Sequence, residues 1–256
     1  MTSTRGTARI AGACFLITHV TSVAALVLYA PVLNQPGYVI GGGADTRVLV
    51  GGWLEVVLTL AIVGTAVALY PVTRRHNQGL AIGYVGLRTL EAAVIAIGIV
   101  SLLAVVTLRQ QAGADAAALV GVGKALVAVH NWTFLLGPNF VCAADTFVLA
   151  WLMWRSRLIP RFIAGLGVVG GPLLFVSATA VLFGAFKQVS LPGAIAPLPV
   201  FAWELGLALF LIVKGFKETS LDRRETPRIT AAVAVPACPH RSRLPAASPR
   251  EAAGPV

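Results

Sequence analysis

Six apolar runs, each about 20 residues or longer and separated by short polar connections, leave this chain few ways to fold. Backbone surrounded by hydrocarbon must satisfy its own hydrogen bonds, and a helix does so within a single segment. The runs predict helices over about 10–29, 48–70, 80–108, 119–154, 162–184 and 200–216. The expected fold class is therefore all-α, an integral membrane bundle of six transmembrane helices. Composition agrees, with 57% hydrophobic and only 12% charged residues, where a soluble domain carries about 25% charged. Residues 1–9 are expected to form a cytoplasmic N-terminus, 10–216 the transmembrane domain, and 217–256 a disordered, basic tail rich in Pro and Ala.

Punctuation between the runs is provided by residues that break helices. Pro31 and Asn34-Gln35-Pro36-Gly37 close the first run, and Pro71 is expected to stop the second. The first run follows Arg5 and Arg9 but exceeds the length of a signal-peptide core, so it is expected to be retained as a helix. The fourth run is longer than one crossing needs. It is expected to divide into an amphipathic outer part up to about Trp132 and a true crossing kinked at Gly137-Pro138.

A net charge of +10 would suggest nucleic acid in a soluble protein. Here Arg5, Arg9, Arg74, Arg75, Arg155, Arg157, Arg161 and the tail arginines fall in alternate connections, against only Arg47, Arg109 and Lys187 in the others. The positive-inside rule then puts both termini in the cytoplasm of a multi-pass plasma (inner) membrane protein, with the lipid bilayer and no nucleic acid as its partner.

No cofactor and no metal are expected. Cys14, Cys142 and Cys238 lie far apart with no Cys-x-x-Cys pair, and Gly41-Gly42-Gly43 lacks the following Gly-Lys-Ser/Thr of a phosphate loop. Neither His-Glu-x-x-His nor Gly-x-Ser-x-Gly occurs.

The informative residues are the polar ones inside the apolar runs. Ionisable side chains at membrane depth cost about 2.5–3.5 kcal/mol each on insertion scales and mark functional interiors by default. Four acids qualify, Glu55, Glu91, Asp145 and Glu204, with Arg88 as counter-charge and His19 and His130 able to carry either state. Arg88 and Glu91 stand three residues apart on one helical face. On a continuous helix Lys124, Asn131, Pro138 and Asp145, seven apart, share one stripe. Counting from the predicted entry points gives an outer tier of Glu55, Glu204, His130 and Asn131 and a deeper tier of His19, Arg88, Glu91 and Asp145. Trp53, Trp132, Trp151, Trp154 and Trp203 all fall near predicted interfaces, as an aromatic belt would.

Several phrases in one order carry a resemblance: Arg9-Ile10-Ala11-Gly12, Gly43-Ala44-Asp45-Thr46-Arg47-Val48-Leu49, Gly64-Thr65-Ala66-Val67-Ala68-Leu69-Tyr70-Pro71, His130-x-Trp132-Thr133-Phe134-Leu135-Leu136-Gly137-Pro138 and Phe201-Ala202-Trp203-Glu204-Leu205. Over about residues 9–216 the chain resembles the bacterial multi-pass membrane proteins of domain-of-unknown-function family 4386. The resemblance implies a six-helix integral membrane protein and brings no activity with it.

Three functions are compatible with such an interior. The first is a transporter or permease for a small solute or ion, with Glu55, Arg88, Glu91, His130, Asn131, Asp145 and Glu204 as candidate substrate- or proton-binding residues. The second is a non-catalytic component or sensor that joins a membrane-protein partner or another copy through Gly79-x-x-x-Gly83 or Gly167-x-x-x-Gly171. The third is an intramembrane metal-dependent enzyme acting on lipid, for which the histidines are few and no catalytic motif is present.

Overall fold

The computed structural model describes residues 4–35, 37–41, 43–111 and 116–217, with backbone alone at 116 and 117. Its long helices are α1 (Thr4–Leu28), α3 (Asp45–Thr73), α4 (Gln78–Gln110), α5 (Ala116–Phe134), α6 (Cys142–Ser156), α7 (Arg161–Leu182) and α9 (Leu198–Val213). Short helices α2 (Ala30–Asn34) and α8 (Leu191–Ile195) precede α3 and α9, and a π-helical segment, Leu135–Val141, joins α5 to α6. Among the described residues there is no strand, and six helical spans are long and apolar enough to cross a membrane. The protein is a multi-pass membrane protein.

Helix ends follow local chemistry. The Asn77 side chain accepts the Leu80 N–H at 3.0 Å and starts α4. Arg157, with φ of 56°, turns the chain out of α6, and Pro160 leads into α7. Pro71 does not stop α3 as expected, because it falls in the last turn, where few amide bonds remain to be lost; the helix runs on to Thr73, whose hydroxyl donates to the Leu69 carbonyl. The first helix begins at Thr4 rather than near residue 10. The expected tail lies outside the described residues, apart from Lys217.

The helices pack as a closed ring: α1 on α3, α3 on α4, α4 on α5 and α6, α6 on α7, α7 on α9, and α9 back on α1. Glycine permits the tightest of these approaches. A Cβ at Gly12 would lie 2.7 Å from the Ala208 carbonyl oxygen, and one at Gly171 would lie 2.7 Å from that of Ala143. Gly167 makes room for Ala150 and the Trp203 ring, so the Gly167-x-x-x-Gly171 face is consumed inside the bundle. Trp203 is accordingly buried and is no part of an aromatic belt, whereas Trp53 is 64% exposed on the outer surface.

The fourth run also departs from expectation. Its outer part does not lie apart from the bundle: α5 packs on α4, and Leu119, Leu126 and Val127 join a core of Ala25, Tyr29, Val39, Leu102 and Val105. Helix continues through the whole of 118–156.

Candidate functional site

The π-helical segment decides which face of the fourth span points inward. Pro138 has no N–H, so the Phe134 carbonyl four residues earlier loses its α-helical partner; the Asn139 side chain donates to it instead, at 3.0 Å. The wider turn adds one residue to the register. Gly123, His130 and Gly137 are buried at intervals of seven, whereas position 144 is only half-buried and Asp145, eight beyond Gly137, is fully buried. The stripe expected from a continuous helix is therefore broken. Asp145 faces the interior, while Lys124 and Asn131 are exposed and line a separate cavity of about 300 Å³ with Gln35 and Tyr38. Asn131 is thereby separated from the other candidates.

Arg88, about ten residues into α4, sits at the centre of a polar cluster. Its guanidinium donates from Nη1 to Glu91 Oε2 at 2.9 Å, from Nη2 to Glu204 Oε1 at 2.6 Å and from Nε to the Tyr84 hydroxyl at 3.1 Å. Asp145, 0% exposed, places Oδ1 3.5 Å from Nε. The rings of Phe15 and Tyr84 cover the guanidinium, with centroids 5.4 and 5.7 Å from Cζ. Glu204 is the surprise. Counted from a helix beginning near residue 200 it belongs to the outer tier, but the apolar span begins at Leu191 and α9 at Leu198, which puts Glu204 deep enough to meet Arg88.

His19 extends the cluster. Its Nδ1 bonds to the Phe15 carbonyl at 2.8 Å, and because a carbonyl only accepts, Nδ1 carries the proton. Nε2 stands 3.9 Å from Glu204 Oε2, so a second proton there would create an ion pair.

Glu55 forms a different environment. Oε2 accepts the Tyr29 hydroxyl at 2.9 Å, and the Tyr29 ring meets His130 edge-on at 5.7 Å. No basic side chain pairs with Glu55 among the described residues. Gly98 lets α5 approach α4 here, since a Cβ would lie 2.6 Å from Thr133 Oγ1 and 3.2 Å from His130 Nδ1.

Both environments open on one cavity of about 260 Å³ inside the ring. Arg88, Glu91, Glu204 and His19 line one part of it, Glu55, Tyr29 and His130 another, with Leu58, Ile62 and Ile95 between them. Six of the seven candidates thus gather around one space, although Asp145 reaches it only through Arg88. Tyr29 and Tyr84 belong to the site and were not anticipated; Tyr84 is four residues before Arg88, on the same helical face, and that spacing is the signal that could have found it. The four acids and one arginine leave three negative charges uncompensated if every carboxyl is ionised, a costly arrangement at membrane depth. Among the described residues no three His, Cys, Asp or Glu side chains are arranged to hold a metal ion.

Tyr38, between the first two spans, donates to Asp45 Oδ1 at 2.8 Å at the start of α3, and Arg109 Nε, at the end of α4, lies 3.0 Å from the same oxygen. Burial, reinforced by the Asp45 carboxylate, holds the Tyr38 phenol above the ordinary tyrosine range, which keeps its proton in this bond.

Searches of curated proteins and of solved structures find no match. The family profile described as "Domain of unknown function (DUF4386)" matches residues 10–215, a stretch that contains every side chain lining the cavity, and the chain belongs to that family.

Proposed function

We propose that the protein is a small-solute or ion transporter of the bacterial plasma membrane, with its solute in the cavity of the helical ring and its termini in the cytoplasm. The observation that carries this reading is the contact of a cavity inside the membrane with more carboxylates than the one arginine can neutralise. Arg88 has three acidic partners and fixed donor directions, so neutralising any one acid frees a donor and redistributes the others. Such a cluster couples arrival of a proton or cation to a change in helix contacts, because Glu91, Asp145 and Glu204 stand on α4, α6 and α9. His19, with Nδ1 on the Phe15 carbonyl and Nε2 3.9 Å from Glu204, offers a relay into the cluster. The basic connections carrying Arg74, Arg75, Arg155, Arg157 and Arg161 support the orientation.

Infrared difference spectroscopy of the full chain in lipid tests this without knowledge of the solute. A carboxyl C=O band that comes and goes reversibly as pH is cycled, and that is missing from Asp145→Asn or Glu91→Gln, is the expected result. Spectra that stay constant across the range would mean a fixed structural network and would end the proton-coupled reading. One observation favours the partner-binding alternative: Gly83 and Gly86 on α4 face open space, so that stripe is free for another helix, unlike Gly167 and Gly171. Co-purification of a second membrane protein that is lost in Gly83→Leu would support it.

A further inference from the structure

Glu55 is only 8% exposed, yet just one of its oxygens is occupied: Oε2 takes the Tyr29 hydroxyl, and Oε1 has no partner among the described residues. It lines the cavity, and among the described residues no lysine, arginine or backbone amide pairs with it. The acids at the other end, by contrast, are held by Arg88. A carboxylate left open in a membrane interior is complementary to a cation that arrives from outside the protein.

What kind of cation follows from the walls. A bare inorganic ion requires several oxygen ligands around it; the cavity has the Thr18, Ser22 and Thr133 hydroxyls, each already donating to a carbonyl of its own helix, but its wall is mostly apolar and aromatic, with Leu26, Leu58 and Ile95 and the rings of Tyr29, His130 and Phe134. Those surfaces suit hydrocarbon, and aromatic faces attract an ammonium group. Among the described residues lining the cavity Arg88 is the one permanent cation, and its guanidinium is already engaged by Glu91 and Glu204, which leaves an anionic solute little to meet.

The route of entry is apolar too. α1 and α9 touch closely at Gly12 and Ala208, and again where the His19 and Phe201 rings meet at 4.6 Å. α9 begins at Leu198, only a few residues before that contact, so the rest of α1 runs on without α9 beside it. Val23, Leu26 and Phe201 line the cavity there while remaining exposed, and they frame its mouth.

The geometry points to an organic ammonium compound with an apolar body as the ligand of this cavity, its nitrogen on Glu55 and its body among Leu58, Ile62 and Ile95. This identifies the solute class for the transporter reading and rests on the cavity being that solute's site. The ligand enters between α1 and α9 from the lipid, where cationic amphiphiles concentrate. Tyr29 holds Oε2 in place and leaves Oε1 to the ammonium.

The test is equilibrium dialysis of the full-length protein in lipid nanodiscs against radiolabelled phenethylammonium, phenethyl alcohol and phenylacetate, with protein-free discs as the blank. Phenethylammonium is expected to bind at least about tenfold more tightly than the alcohol or the anion, as loss of one charge-assisted hydrogen bond implies. Glu55→Gln should remove that advantage and leave binding of the alcohol unchanged, while Glu55→Asp retains most of it. Equal binding of the three probes to wild type, no ammonium binding above the blank, or undiminished ammonium affinity in folded Glu55→Gln would each overturn the assignment. The comparison of probes on wild type decides the matter even if Glu55→Gln fails to fold. Ammonium selectivity with constant infrared spectra would uphold the ligand and defeat proton-coupled transport. Titrating carboxyls without ammonium selectivity would do the reverse.

Discussion

The two ends of the cavity solve the problem of buried charge in opposite ways. Around Arg88 each carboxylate is drawn to one guanidinium, and two aromatic rings close over the group. Around Glu55 a single hydroxyl meets a single carboxylate oxygen, and the remaining capacity is left open. The first arrangement ties α4, α6 and α9 together; the second ties only the junction of α1 and α2, at Tyr29, to α3. On the proposed reading, charge at membrane depth is structural where its partners are internal and available for binding where they are not.

The sharpest way to break this contrast is to remove the arginine. Arg88→Ala leaves three carboxylates facing one another in the interior and should cost about 3–5 kcal/mol, seen as a large loss of thermal stability in lipid discs. Adding Glu204→Gln should recover part of it. A variant as stable as wild type would show that the acids do not depend on Arg88.

Gly98→Ala tests the Glu55 end sterically. Its methyl group would press on Thr133 and His130 and is expected to destabilise by about 1–3 kcal/mol. Gly83→Ala on the same helix meets open space and should gain stability, by up to about 1 kcal/mol, from helix propensity. Equal melting temperatures for the two alanine variants would refute the close approach of α4 and α5.

Glu55→Gln should change stability by less than about 1 kcal/mol, because the amide oxygen still accepts the Tyr29 hydroxyl. A loss comparable with that of Arg88→Ala would make Glu55 structural and erase the distinction between the ends. Smallest of all is Arg109→Gln at the partly exposed Asp45 pair, expected at about 0.2–1 kcal/mol and diminishing with added salt. Melting curves at low and high ionic strength would check it.

Much of this architecture can be read from hydropathy alone, since apolar length and breakers define the six spans. The interior acids and Arg88 are equally legible, because lipid makes each of them exceptional. Depth is harder. Arg88, Asp145 and Glu204 each stand about ten residues from the helix end that faces the basic connections, roughly 15 Å at 1.5 Å per residue, so they share a level. Counting from that side would have united them; counting Glu204 from the Pro-rich side failed because α8 and the turn before α9 belong to the same apolar span. Tyr29 escaped notice because a tyrosine at a helix end reads as an interfacial residue, and only packing against α3 turns its hydroxyl inward. The partner of a buried group is a tertiary property, and hydropathy carries no trace of it.

The π-helical turn at Leu135–Val141 makes the inner charge pattern depend on a single residue of chain length. Deleting one residue within 135–141 would let an ordinary helix form, and α6 would turn by about 100° relative to α5. Asp145 would leave Arg88 and the apolar side of α6 would lose its place against α7, although composition and hydropathy would hardly change. Length in this turn therefore acts as part of the charge code, and a homologue that gains or loses one residue here would need to move its acid by one position to keep the same interior.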